Sequence, residues 1–155
     1  MICKNPKKMK NVIKKSIISY VIAWLITYFS MIDYSDSLSS ACLNCSYTED
    51  VALYSLLLLP LFFITFLFLE RKAKNNNLSS IFLSVMFTFL VLLNNVSIFS
   101  DRASSWSTFS IMEEFLATLI ESYLFLIIGI AIFLFIFREK RLFMNKNNTI
   151  YNDNR

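Results

Sequence analysis

The sequence predicts an all-α protein, an integral membrane four-helix bundle with both termini on the cytoplasmic side (N-in/C-in). Three observations lead there. The chain holds four apolar runs of near-spanning length; its lysines and arginines alternate along the loops between them; and 56% of its 155 residues are hydrophobic with only 17% charged. A soluble domain of this size carries roughly 25% charged residues.

The first run covers positions 16–32, 17 residues or about 25 Å of helix, near the lower limit for crossing a bilayer. The lysines ahead of it allow a signal-peptide reading. No small-residue cleavage site follows, however: Tyr28, Phe29 and Met31 stand there instead, so the run is kept as a span. The second run, 51–69, is almost entirely Leu, Phe and Ile. Pro60 lies midway along it, removes one backbone hydrogen bond and predicts a kink. Being apolar all round, this run is expected to be the most lipid-facing of the four. The third run covers 78–99. The fourth covers 111–137 and opens on Ser110-x-x-Glu113, a capping box that sets the helix start just outside the apolar stretch. Residues 1–144 thus form one four-span membrane domain. The Asn-rich stretch 145–155, without apolar period, is expected to be a disordered cytoplasmic tail.

Orientation follows from the basic residues. Lys4, Lys7, Lys8, Lys10, Lys14 and Lys15 precede the first span; Arg71, Lys72 and Lys74 lie between the second and third; Arg138, Lys140, Arg141, Lys146 and Arg155 follow the fourth. The stretch 33–50 has no Lys or Arg but carries Asp33, Asp36, Glu49 and Asp50, and the stretch 100–114 has only Arg102 against Asp101, Glu113 and Glu114. The positive-inside rule then places the termini and second loop in the cytoplasm, with the first and third loops outside. Tyr28, Tyr34, Tyr47, Tyr54, Trp106 and Phe109 cluster near the outer interface, as membrane-interface aromatics do.

Composition removes several function classes. There is no histidine, the commonest metal ligand and a frequent general base. No Gly-rich phosphate loop, nucleophile elbow or metal-ligand spacing is present. The chain is therefore not expected to be an enzyme or to carry a cofactor or metal. The net charge of +4 comes from short basic blocks beside apolar runs, which set orientation and do not bind nucleic acid. The partners expected are the lipid bilayer and another membrane or membrane-inserting protein, such as a phage ejection component, a toxin or a host protein. A homo-oligomer is compatible with the same faces.

Helices in lipid associate through small and hydroxyl residues. The first span has a stripe of Ser16, Tyr20, Ala23, Thr27 and Ser30, spaced 4-3-4-3, and the third has Ser80, Ser84, Thr88 and Asn95. Both keep to one helical face. The fourth offers Glu114, Thr118, Glu121 and Ser122. Glu121 stands out. It lies about 9 Å by helical rise beyond Phe115, where the unbroken apolar stretch of the fourth run begins, and an ionised acid there costs on the order of 3 kcal/mol. It must be protonated, paired or facing water. Asn94, Asn95 and Thr88 lie at a depth to meet it, and Arg102 is within reach from the loop. Two readings stay open: a partner-recognition site made by Glu121, Thr118, Asn94, Asn95 and Glu114, or a structural hydrogen bond locking two helices.

Cys42 and Cys45 form a Cys-x-x-Cys in the first outer loop, where disulfides persist. Cys42, Leu43, Asn44 and Cys45, with Tyr47 behind them and the four-span topology, resemble the quinone-linked disulfide-generating proteins of bacterial inner membranes. That resemblance implies thiol–disulfide chemistry at Cys42 and Cys45. The family relays electrons through a second cysteine pair in the other outer loop, and 100–110 contains no cysteine. Thiol exchange needs a partner sulfur, so a local structural disulfide is the favoured reading.

By size, four-span topology and short outer loops, the chain also resembles two groups of bacterial inner-membrane proteins. One is the superinfection-exclusion proteins of temperate phages, and the other is the immunity proteins of pore-forming colicins. A repertoire rich in Asn, Lys, Ile and Phe, typical of AT-rich mobile elements, accompanies the likeness. The resemblance implies recognition within the membrane, with phage exclusion ahead because the outer loops are short.

Overall fold

The computed structural model describes residues 6–72 and 76–152, with side chains defined over 8–69 and 79–136. Five helices follow one another: α1 (Pro6–Ser30), α2 (Tyr47–Leu56), α3 (Leu58–Lys72), α4 (Asn76–Arg102) and α5 (Ile111–Asn152), with short 3₁₀ turns at Ile32–Tyr34 and Ser104–Trp106. No strand occurs among the described residues. Four stretches are long and apolar enough to cross a membrane: Lys8–Ser30, Tyr47–Leu69, Ser79–Trp106 and Ile111–Ile136.

Local chemistry sets the boundaries. Ser110 N donates to Glu113 Oε2 (2.8 Å) while Glu113 N donates to Ser110 Oγ (3.4 Å), the expected capping box at the start of α5. A second box, Ser46 with Glu49, starts α2 four residues before the expected position 51. Pro60 has its predicted effect, dividing the second span into α2 and α3 at Leu57. With no N–H at 60, the Leu56 carbonyl loses its i+4 donor, and the proline ring crowds that carbonyl.

The core is a stack of aromatics and aliphatics between α1, α3, α4 and α5. Phe87 of α4 lies between Phe62 of α3 (centroids 5.7 Å apart) and Phe133 of α5 (4.3 Å). Val12, Ala23 and Ile26 of α1 and Leu83, Leu90 and Val91 of α4 fill around them. Gly129, the one glycine in the chain, marks the closest approach of α5 to α1. A Cβ there would collide with Ile26 Cδ1.

The expected stripe on α1 is a buried face. Ser16, Ala23, Thr27 and Ser30 are all buried, with Tyr20 half-buried. The stripe on α4 behaves differently. Ser84 and Thr88 donate to carbonyls of their own helix, those of Ser80 and Ser84, and do not reach across.

Two expectations are corrected. The second span is not the most outward-facing: the fourth buries the smallest share of its residues. It touches the bundle along a narrow seam of Thr118, Ser122, Leu126, Gly129 and Phe133, whereas α2 and α3 bury Val51, Ser55, Leu58, Phe62 and Phe66. The helix also does not stop at 137 with a disordered tail from 145. α5 continues as helix to Asn152, because Arg138, Glu139, Lys140, Arg141 and Leu142 are good helix formers that carry it past the apolar run. Residues 153–155 of the tail lie outside the described residues.

Candidate functional site

The polar groups of the bundle concentrate toward the end where α1 and α4 stop and α2 and α5 begin. They form three groups.

The first is a cap. Residues 31–46 fold over this end and are held by the last residues of α4. Arg102 is 2% exposed, and its guanidinium grips Asp50 of α2, with Nε at 3.0 Å and Nη2 at 2.7 Å from Oδ2. Its Nη1 donates to the carbonyls of Ser37 (2.7 Å) and Ser35 (3.0 Å), and the cation lies 5.2 Å over the Tyr47 ring. Asp101 accepts the hydroxyls of Ser39 and Ser40 (both 2.7 Å) and the Ala41 amide (2.8 Å). Trp106 Nε1 donates to the Leu38 carbonyl (2.9 Å). Loop carbonyls that would otherwise be orphaned thus find donors. The spent fork of Arg102 explains why it stays buried: a planar, five-donor cation can satisfy a carboxylate and several carbonyls at once.

Within this cap Cys42 and Cys45 are joined by a disulfide, with Cα atoms 5.3 Å apart. The Cys45 amide donates to the Cys42 carbonyl (3.1 Å), and the Cys42 amide to Ser39 Oγ (3.1 Å). The sulfurs close a tight turn whose flanks are already tied to α4. A loop this short gives only a small entropic stabilisation.

The second group is a buried layer beneath the cap. Asn94 Nδ2 donates to Thr27 Oγ1 (2.9 Å) and Ser55 Oγ (3.0 Å), and Asn95 Nδ2 to Ser30 Oγ (3.0 Å). Three helices, α1, α2 and α4, meet on these two amides. Among the described residues Asn95 Oδ1 and Ser19 Oγ are buried without a partner.

The third lies on α5. Thr118 and Ser122 are fully buried and donate along their own helix, to the carbonyls of Glu114 (2.7 Å) and Thr118 (2.6 Å). Glu114 accepts the Ser104 hydroxyl. Glu121 sits off this seam and is exposed. Among the described residues it makes no hydrogen bond or ion pair. Its carboxylate is near enough to Tyr34 to act on it: burial pushes the Tyr34 phenol above its ordinary value, and the charges of Glu121 and then Asp33 add to that.

The expected site residues are therefore not assembled around Glu121. Asn94 and Asn95 turn toward α1 and α2, Thr88 bonds its own helix, and Arg102 is taken by Asp50. Glu121 falls one residue short of Ser122, and at 100° per residue that step takes it off the packed seam. Sequence reasoning missed Asp50, Asp101, Thr27 and Ser55 as network members. The available signal was Arg102 as the lone basic residue between Lys74 and Arg138, which needed a carboxylate. No group of three His, Cys, Asp or Glu able to hold a metal ion occurs among the described residues. Comparison with protein-family models, curated proteins and solved structures returned no match.

Proposed function

We propose that this protein is an exclusion protein of a mobile genetic element. It sits in the bacterial inner membrane with both termini and the basic block of Arg71, Lys72 and Lys74 cytoplasmic. It blocks delivery of a superinfecting phage's DNA by binding a partner in or at the membrane.

The observation that carries this reading is the state of Glu121. Glu49, Asp50, Asp101, Glu113 and Glu114 each accept a hydrogen bond within the chain. Glu121 accepts none, and stands exposed beside Leu124, Phe125 and Ile128. Facing lipid, an ionised acid there costs on the order of 3 kcal/mol, a cost that a partner helix meeting the carboxylate removes. An exposed acid without a partner on an apolar helix face leaves that face for recognition. The rigid cap beside it, pinned by Arg102, Asp101 and the disulfide, presents Leu38 and Leu43 outward. The charge alternation along the sequence supports the orientation.

The test is to express the protein in a sensitive host and challenge it with a phage panel and with pore-forming colicins. The reading predicts that at least one phage adsorbs normally but fails to deliver its genome. Unchanged plating across the panel contradicts it, and protection against a colicin alone reassigns the same face to toxin immunity. Loss of protection in the Cys42→Ser/Cys45→Ser double variant, with the pair cycling between thiol and disulfide in cells, points to redox chemistry instead.

A further inference from the structure

We infer that the outward face of α5 around Glu121 takes a transmembrane helix bearing a single Lys or Arg in the half of its apolar span nearest the cap. This rests on the recognition reading above and names the chemistry of the partner.

Four observations carry it. Glu121, Leu124, Phe125, Ile128 and Ile132 are all exposed and, spaced 3-1-3-4, lie along one flank of the helix. This flank is apolar except for its carboxylate, so a docking helix gains packing along its length and polarity at one point. Secondly, glutamate is shorter than the lysine and arginine side chains that reach back to the interface from such depths, so its carboxyl group stays beside the exposed Leu124 and Phe125.

Thirdly, the chain cannot supply the counter-charge. Between Lys15 and Arg71, and again from 75 to 137, its single basic residue is Arg102. Arg102 is buried and committed to Asp50 and the loop carbonyls. A second copy fails for the same reason: pairing α5 with α5 about a twofold sets Glu121 against Glu121, with Arg102 out of reach. Fourthly, the local field is negative. Asp33 is exposed, and both it and Glu121 act on the Tyr34 phenol, so two carboxylates lie within electrostatic reach of one group. In a low-dielectric setting charge pairing outweighs a neutral hydrogen bond.

The experiment uses the full-length protein, fluorescently labelled, in phosphatidylcholine–phosphatidylglycerol vesicles. The probes are designed Leu-rich transmembrane helices that carry Lys, Gln, Glu or only Leu at the depth of Glu121. Energy transfer reads association. The Lys helix should associate about tenfold or more tightly than the Leu helix, a difference of about 1.4 kcal/mol or more. Glu121→Gln should erase that preference, and Glu121→Lys should transfer it to the Glu helix. That gain guards against misfolding as an explanation, as does an intact Cys42–Cys45 disulfide in each variant.

Equal binding of the Lys and Leu helices overturns the inference. So does a Lys preference that survives Glu121→Gln, a stronger preference for the Gln helix, or self-association of the protein that depends on Glu121. A protein that excludes phage yet shows no Lys preference sinks this inference alone. One that prefers the Lys helix but gives no exclusion sinks the functional proposal alone.

Discussion

Arg102 and Glu121 are the two residues whose environments differ most from what their sequence positions invite. Arg102 looks like an exception to the charge alternation and reads as a loop residue free to reach Glu121. Instead it is the buried hub of the cap, with two donors on Asp50 Oδ2 and others on Ser35 and Ser37. Its need for a carboxylate was legible. Which carboxylate was not, because Asp50 and Glu121 are both within reach in one dimension, and only the packing of α2 against α4 decides between them. Removing one partner of a buried pair strands the other. Arg102→Met is therefore expected to destabilise the protein by about 3–5 kcal/mol, read as thermal unfolding in detergent with faster hydrogen exchange over 31–46. Arg102→Lys should not restore it, since an ammonium lacks the planar fork that serves Asp50 and the carbonyls together. Full stability in Arg102→Met means that the cap does not depend on this pair.

At the scale of elements, the sequence carried most of the helix limits. The Ser110–Glu113 box, the Pro60 break and the 4-3-4-3 stripe of α1 all depend on chemistry within a few residues, and all three stand in the structure. What failed was the ranking of faces. An all-apolar run such as 51–69 looks the same whether its phenylalanines meet lipid or stack on Phe87, and the 80–84–88 stripe of α4 looks like a packing face although its hydroxyls satisfy their own helix. The residues that do join helices are Asn94 and Asn95, which the sequence offered as partners for the wrong helix. Hydrogen bonds between membrane helices average about 0.6 kcal/mol each, so Asn94→Leu, which loses those to Thr27 and Ser55, should cost about 1–2 kcal/mol. Thermal unfolding should thus order the variants, with Asn94→Leu well above Arg102→Met in midpoint. The reverse order means that the amide layer, not the cap, holds this end of the bundle.

For the whole molecule, a single up-and-down path of four apolar helices brings the ends of α1 and α4 and the starts of α2 and α5 together, and with them the Arg102–Asp50 pair, the Asp101 network and the disulfide. The four apolar helices were legible because hydropathy is additive along the chain; the outward turn of α5 was not, because it depends on which seam its neighbours leave. If the basic blocks are cytoplasmic, a membrane-impermeant maleimide added to intact cells should label Cys42 and Cys45 only after reduction, and Cys3 only after permeabilisation. Labelling of Cys3 in intact cells contradicts the orientation. The proposed recognition role rests on Glu121, and its exposure makes it separable from folding. The most direct test is the plating efficiency of an excluded phage on cells making Glu121→Leu at wild-type level with the Cys42–Cys45 disulfide formed. Exclusion should be lost while the protein remains folded and abundant; full exclusion by that variant would contradict recognition through this face.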